Sequence, residues 1–316
     1  RRSRSRAPCT DPSIMNPFPI AWASLRKNRF TAILFIVIVA LAVALGIAIS
    51  AQERALRIGS ARAADRFDLI VAAPGSHNDV LFSTIFLDPT AVELLDPAVT
   101  RFLLEEEQAD FVAPIGFGDS IGDYPVVGTT AAFVDHLSDG LAEGRLFTAT
   151  QEAVVGALSP HELGDSLEVS HGHGAAGSGA DADAAADALA AGTAVAGEHD
   201  HANLTVVGRM QPTGTPWDRA VVVPIEYNWQ AHGLGNGHLP GDTHLGPPFD
   251  GESLPGLPAV VVKPSDVAAA YGLRSAYRTP QSTAFFPAEV LVDLYALLGD
   301  ATTIMTALTF AAQGLV

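Results

Sequence analysis

The chain has 316 residues, of which 48% are hydrophobic, and its formal net charge is −17. So high an apolar content excludes a disordered chain, and a single cysteine, Cys9, excludes a disulfide scaffold. The acidity argues against nucleic acid as a partner, and the length allows one or two domains with a hydrophobic core.

The first 29 residues are basic, in contrast with the rest of the chain. They have a net charge of +6, whereas the remainder has a net charge of −23. Met15 begins a sequence typical of a natural N-terminus, so residues 1–14, which include Cys9, are predicted to be non-native upstream sequence. Residues 19–29 combine apolar and basic side chains and are predicted to lie along the inner surface of a membrane.

Residues 30–49 are a run of twenty uncharged residues, FTAILFIVIVALAVALGIAI. As a helix this run would be about 30 Å long, which is the thickness of the hydrocarbon layer of a bilayer. We therefore predict a transmembrane helix over residues 30–50. A buried helix of a soluble protein and a cleaved signal peptide are the alternatives, but the run exceeds the roughly 7–15 apolar residues of a signal peptide.

The basic residues before this run predict its orientation. Arg26, Lys27 and Arg29 precede it directly. By the positive-inside rule, residues 1–29 are then cytoplasmic and the chain after residue 50 is extracytoplasmic.

Residues 51–286 are predicted to form an extracytoplasmic domain of the mixed α+β class. Helices are predicted over residues 52–65, 88–108, 265–271 and from residue 287 onward. The second of these has Asp88 and Pro89 as an N-cap and first-turn pair. Strands are predicted at FDLIVAAPGS, FVAPIGFGD, YPVVGTTAAFV, AVVGALS, LEVS, LTVVGRM, AVVVPI and AVVVKP.

Residues 171–201 differ from the rest of the domain in composition. They read HGHGAAGSGADADAAADALAAGTAVAGEHDH and cannot bury a core, so a long loop is predicted. The flanking SLEV and LTVV segments are predicted to pair as a hairpin with this loop at its tip.

Four histidines of the loop are candidate metal ligands: His171, His173, His199 and His201. An H-x-H pair places two imidazoles on the same side of an extended chain, and imidazole with nearby carboxylates suits zinc. Two such pairs would close round one labile zinc ion. The alternative is a polar loop whose histidines have no role, and both interpretations stay open.

Three further histidines, His232, His238 and His244, lie in a Gly- and Pro-rich stretch. A surface loop is the favoured interpretation, and a second metal or partner contact is the alternative.

No catalytic motif is predicted, and the chain is not expected to be an enzyme. His161 and Glu162 lack the second histidine of H-E-x-x-H, and no P-loop occurs. Residues 118–122, GDSIG, fit G-x-S-x-G, but the Asp-Tyr-Pro that follows does not start a helix.

The last thirty residues, 287–316, end in an uncharged run after Asp300. This pattern predicts an incomplete second transmembrane helix, and hence a fragment of a longer protein. A C-terminal amphipathic helix packed on the domain is the alternative.

Taken together, these segments resemble permease subunits of ABC transporters of the FtsX/MacB type. AWASLRKNRFTAILFIVIVALAVALG resembles the lead-in and first transmembrane helix, and FDLIVAAPGS the opening strand of a MacB-like periplasmic core domain. The Gly-punctuated strands of that domain are matched by YPVVGTTAAF, GRLF, EAVVGALSPHELGDSLEV and LTVVGRMQPTGTPWDRAVVVP. Such permeases usually have four transmembrane helices, whereas this chain has one and part of another.

The resemblance implies a bacterial inner-membrane location, with the main domain in the periplasm. It implies a separate cytoplasmic ABC ATPase, a second permease copy and the lipid bilayer as partners, with a periplasmic binding protein as a further candidate. ATP hydrolysis would move the periplasmic domain, and the His-rich loop suggests a role in zinc homeostasis. The alternative function is a singly anchored extracytoplasmic protein that binds metal or a partner.

Overall fold

The computed structural model describes residues 18–88, 90–171, 203–249, 254–297 and 299. The chain divides into two compact units, residues 1–56 and 57–316. Helices α1 (Phe18–Lys27) and α2 (Arg29–Ala64) account for the described part of the first unit, and α2 ends in the second. At 36 residues, α2 is about 54 Å long, and the helix predicted over residues 52–65 is confirmed as its continuation.

Helix α2 is long and apolar enough to cross a membrane, and no other helix in the described ranges is. None of the side chains in its most apolar 18-residue window is buried. This argues against the alternative of a soluble core helix, because such a helix buries its apolar side chains against the rest of the protein. A signal sequence would form a similar helix.

The second unit is a mixed α+β domain, as predicted. Its helices are α3 (His77–Ile85), α4 (Pro97–Leu104), α5 (Ala131–Ser138), α6 (Ile225–Ala231), α7 (Val267–Ala276) and α8 (287–297). A 3₁₀ turn at Pro216–Arg219 precedes one of the central strands.

Eleven strands of the described chain form one sheet. They are β1 (Leu69–Ala72), β2 (Ala109–Ile121), β3 (Tyr124–Thr129), β4 (Leu141–Gly144), β5 (Glu152–Val155), β6 (Ser166–Leu167), β7 (Ser170–His171), β8 (Leu204–Met210), β9 (Val221–Pro224), β10 (Ala259–Pro264) and β11 (Thr283–Phe285). The order is β11-β1-β10-β2-β3-β9-β5-β8-β4, with β6 beside β8 and β7 beside β2. The pairs β3–β9 and β5–β8 are parallel and the others antiparallel.

The strands with the most apolar sequences lie inside the sheet and not at its edges. Every residue of β1 and of β9 is buried, so both faces of the sheet are covered there. On one face, Trp217 is fully buried between the rings of Phe67 and Phe133, at centroid distances of 6.1 and 5.6 Å. The core therefore follows from the apolar runs of the sequence.

The helix predicted over residues 88–108 is confirmed only over residues 97–104, and its start is displaced furthest. Helix α4 begins at Pro97, and the carboxylate of Asp96 caps it by accepting from the backbone N–H of Ala98 at 2.7 Å. Just before it, the backbone N–H of Leu95 donates to the carbonyl of Leu257 at 2.7 Å. This long-range bond holds the chain extended, so the second of two Asp-Pro pairs becomes the cap.

The strand prediction over YPVVGTTAAFV is wrong in its second half. Strand β3 ends at Thr129, and Thr130 caps α5 by accepting from the N–H of Phe133 at 3.4 Å. The buried face of α5 explains the change. Helical spacing places Phe133, Val134 and Leu137 together on this face, where all three are buried.

The predicted hairpin of SLEV and LTVV is confirmed by the antiparallel pairs Ser166–Thr205 and Leu167–Leu204. The chain then leaves the hairpin, because Ser170 pairs with Ser120 of β2.

An ion pair between Arg145 and Glu152 is expected to make the domain sensitive to acid. The Arg145 guanidinium, and then the N–H groups of Thr148 and Ala149, lower the pKa of Glu152 from 4.5 to about 2. Because this pKa is lower in the folded state, its stabilising effect is present above pH 4.5 and is lost as the pH falls toward 2. Glu152→Gln should therefore be less stable than the parent at pH 7 and nearly equal to it near pH 2.

Thermal melts at both pH values measure this difference, and the exposed Glu168→Gln serves as the control. A deficit of Glu152→Gln that is the same at pH 7 and pH 2 would contradict the expectation.

Candidate functional site

The last turns of α2 and the helix α8 lie side by side within the second unit. The guanidinium of Arg57 lies over the ring of Tyr295, 4.9 Å from its centroid, and the Tyr295 hydroxyl donates to the Arg57 carbonyl at 3.2 Å. The hydroxyls of Ser60 and Tyr295 are also hydrogen-bonded. We call these three residues the stalk junction.

Small side chains allow this close approach. Ser60, Ala63 and Ala64 are buried at the end of α2, and Val290 and Leu291 are the buried apolar residues of α8. All except Ser60 belong to the same apolar cluster of the core. The segment that follows the apolar run and the segment at the end of the described chain are thus fixed to one another.

The four histidines predicted to bind metal fall almost wholly outside the described residues. Of them only His171 is described, and only in its backbone, where it pairs with Asp119 of β2 in strand β7. His173, His199 and His201 lie in the range 172–202, outside the described chain. Among described residues there is no group of three or more His, Cys, Asp or Glu suited to a metal ion.

The interpretation of His238 as part of a surface loop is wrong, because this residue is buried at 5% exposure. Its Nε2 lies 3.2 Å from Oε1 of Glu226, which also accepts the backbone N–H of Gly246 at 2.6 Å. The ring of His244 stands edge-on to that of His238 at a centroid distance of 5.8 Å. His244 itself is exposed and bonds through Nε2 to the carbonyl of Pro247 at 3.0 Å.

His232 belongs to a different cluster. Its Nε2 lies 3.2 Å from Oδ2 of Asp119, which also accepts a hydrogen bond of 3.4 Å from Asn228. Burial, and then the charge of Asp119, raise the pKa of Tyr227 to about 12. This cluster is held where α6 crosses the β2–β3 hairpin.

Glycines make that crossing possible. Gly116 and Gly128 face each other across β2 and β3, and a Cβ on either would overlap the side chain of Asn228. Larger residues there would push α6, with Glu226 and Asn228, off the sheet.

A pocket of about 480 Å³ lies at the carboxyl ends of the parallel strands β3 and β9. Ligands often bind in such crevices of sheets with parallel strands. The pocket is lined by the end of β3, the first turn of α5, the loop 243–247, Phe147, Thr148 and Glu226. It adjoins the Glu226–His238 pair and is also lined by His244, whereas His232 lies apart from it beside Asp119.

The GDSIG segment lies in the β2–β3 hairpin. Ser120 pairs with Pro125, and Gly122 is in the left-handed region of backbone conformation at φ +59°. A strand followed by a hairpin turn differs from the strand–turn–helix geometry of a nucleophile elbow.

Sequence reasoning missed Glu226 and Asp119. Each is a single acid within a stretch that is otherwise apolar or small, AVVVPIEYNW and FVAPIGFGD, and that isolation was the available signal. Buried carboxylates are rare without partners, which makes such positions informative.

Comparisons with known proteins show a likeness of fold and no match in sequence. No family model matches the sequence, and no curated protein matches it. Among solved structures, the fold is similar to that of the periplasmic region of MacB from Actinobacillus actinomycetemcomitans. The TM-score is 0.39 and the identity 12%, and the match covers 74% of this chain and 95% of the other.

Proposed function

We propose that the chain is the anchored extracytoplasmic part of a permease subunit of an ABC transporter of the FtsX/MacB type. The proposal rests on the ordered sequence segments that resemble this family, together with the apolar α2 and its basic flank. Its partners would be a cytoplasmic ABC ATPase, a second copy of the permease, the lipid bilayer and a periplasmic binding protein. In this proposal the chain contributes no catalytic residue, and residues 1–29 face the cytoplasm of a bacterial inner membrane.

The stalk junction is the observation that supports the proposal best. A domain that moves in response to ATP hydrolysis needs a rigid connection to its membrane helices. At Arg57 and Tyr295 the two connecting helices share one cation–π contact and several hydrogen bonds. A movement of one helix would therefore be passed to the other and to the sheet on which both pack.

Labelling of introduced cysteines tests the membrane orientation. In a chain with Cys9→Ala, we expect Ser24→Cys to react with a membrane-impermeant maleimide only after cell lysis. Gly75→Cys, which has open space around it, should react in intact spheroplasts. A chain that is soluble after lysis and has lost residue 24 would contradict the anchor and favour a signal peptide.

Co-purification tests the ATPase partner. The sequence contains no P-loop, so in this proposal ATP hydrolysis in a sample purified through the chain from its native membrane comes from a partner. Such activity distinguishes the permease from the alternative of a singly anchored binding protein, which would purify without it.

Tyr295→Phe is expected to weaken the stalk junction. It removes the hydroxyl that bonds to Ser60 and to the Arg57 carbonyl, and each hydrogen bond contributes about 0.5–1.5 kcal/mol. The free energy of unfolding should fall by about 1–3 kcal/mol. The variant permease should also change the ATPase activity of its partner less than the parent does. Tyr271→Phe, at an exposed tyrosine, is the control. An unchanged unfolding curve for Tyr295→Phe would contradict the role of the junction.

A role in zinc homeostasis remains part of the proposal and rests on the sequence. His171, His173, His199 and His201 would hold one labile zinc ion, with neutral imidazoles as ligands. Calorimetry of the full chain with zinc should show micromolar binding that is lost when all four are changed to alanine. Equal heats for the two proteins would remove this part of the proposal and leave the permease role intact.

A further inference from the structure

We propose that the pocket beside β3 and α5 binds a small zwitterion of amino-acid size, with its ammonium group toward Glu226 and its carboxylate toward the N-terminus of α5. This site goes beyond the proposed function and does not depend on it. The argument rests on residues that line the pocket. They supply two buried side-chain oxygens without a hydrogen-bond partner among the described residues, and the backbone N–H groups of the first turn of α5.

Glu226 provides the site for the ammonium group. Its Oε1 accepts the N–H of Gly246 at 2.6 Å and lies 3.2 Å from Nε2 of His238. Its Oε2 has no hydrogen-bond partner among the described residues, although the residue is only 2% exposed. A buried carboxylate oxygen without a donor is costly, and a ligand N–H would remove that cost.

Thr129 provides a second unpartnered atom in the same wall. It is fully buried at the end of β3, and its Oγ1 has no partner within the described ranges. A hydroxyl accepts readily from an ammonium group. Thr129 and Glu226 both belong to the lining of this pocket, and in the proposed site a ligand completes the hydrogen bonds of both.

The first turn of α5 provides the site for the carboxylate. Thr130 uses its own side chain to cap the N–H of Phe133, and the next two residues, Ala131 and Ala132, line the pocket. The N–H groups of a first turn precede the hydrogen bonds of the helix and carry partial positive charge. They suit a carboxylate.

Charge and size favour a zwitterion over a simple anion or cation. Among the described residues, no Lys or Arg lines the pocket, and residues 30–316 carry a net charge of −23, which disfavours a free anion. A simple amine would leave the first turn of α5 unmatched. A volume of about 480 Å³ admits an amino acid, and the rest of the wall includes the apolar side chains of Phe147, Leu245 and Pro247.

Calorimetry of the full chain in detergent tests the charge pattern. L-Leucine is compared with 3-methylbutylamine, which lacks the carboxylate, and with 4-methylpentanoate, which lacks the ammonium group. We expect L-leucine to bind at least tenfold more tightly than either analogue. The absence of heat with L-leucine up to about 10 mM, or equal binding of an analogue, would overturn the proposal.

Substitutions test the location. Thr129→Val keeps the shape, removes an unpartnered hydroxyl and should leave the fold intact, but it should weaken L-leucine binding about tenfold. Thr84→Val is the matched control, because Thr84 is equally buried, has an Oγ1 without a partner among described residues and does not line the pocket. Glu226→Gln keeps an acceptor for Gly246 and should also weaken binding at least tenfold. Equal affinities of Thr129→Val and Thr84→Val would overturn the assignment of this pocket.

Discussion

Trp217→Ala is expected to lower the free energy of unfolding of the second unit by about 3–5 kcal/mol. Trp217 is fully buried, and its indole contacts the rings of Phe133 and Phe67 on one face of the sheet. Its Nε1 has no acceptor among the described residues, so the loss comes from packing and from the cavity left behind. Denaturant unfolding followed by circular dichroism measures it.

Trp22→Ala is the matched control for this substitution. Trp22 is 70% exposed on α1, so its loss should leave the unfolding of the second unit unchanged. A deficit below about 1 kcal/mol for Trp217→Ala would mean that the cavity collapses around the alanine, and that the described packing at Trp217 is wrong.

Gly156→Ala is expected to destabilise the domain by about 1–3 kcal/mol or more. A Cβ at this position would overlap the backbone of Asp218 and the carbonyl of Trp217. Backbone atoms cannot rotate away as a flexible side chain can, so the 3₁₀ turn has to shift. That turn is also held by Asp218, whose carboxylate accepts from the N–H groups of Thr213 and Gly214 at 2.7 and 2.8 Å.

The same measurement on Gly75→Ala provides the control. Gly75 has no atom near the position of an added Cβ and is not in the left-handed backbone region. Alanine there should change the stability by less than about 1 kcal/mol. Equal stabilities of the two variants would show that residues 217–218 have room to move away from Gly156.

The strands were the most predictable part of the fold, because they coincide with short runs of β-branched residues. The predictions for LTVVGRM and AVVVKP match β8 and β10 to the residue. In β8 the fully buried positions alternate along the strand, and in β10 the first four residues are all buried. Local apolar pattern is sufficient for such strands.

Elements that depend on long-range contacts were less predictable. The start of α4 is displaced by the bond between Leu95 and Leu257, which are 162 residues apart in the sequence. The α5 helix replaces a predicted strand because Thr130 caps it and the sheet covers Phe133. The order of the eleven strands also depends on which strands pair across the chain, and no local pattern specifies that.

In the candidate site, too, the local sequence was informative and the long-range contacts were not predictable. The sequence indicated that the stretch around His232, His238 and His244 was unusual, and the prediction of a surface loop there is wrong for His238. The burial of His238 follows from its pairing with Glu226 and its contact with the ring of Phe249, 5.0 Å away. A single acid in an apolar run can be noted in a sequence, but its partner becomes known only from the fold.

The contact of Arg57 with Tyr295 has a consequence for how this domain can be handled in the laboratory and in evolution. The chain therefore enters and leaves the sheet domain at neighbouring positions, and the domain is attached to its flanking helices at a single place. Modules attached in this way are readily inserted, exchanged or circularly permuted. A short loop between residues 57 and 295 would close the domain on itself, and a different domain could occupy its place without changing the spacing of the two helices.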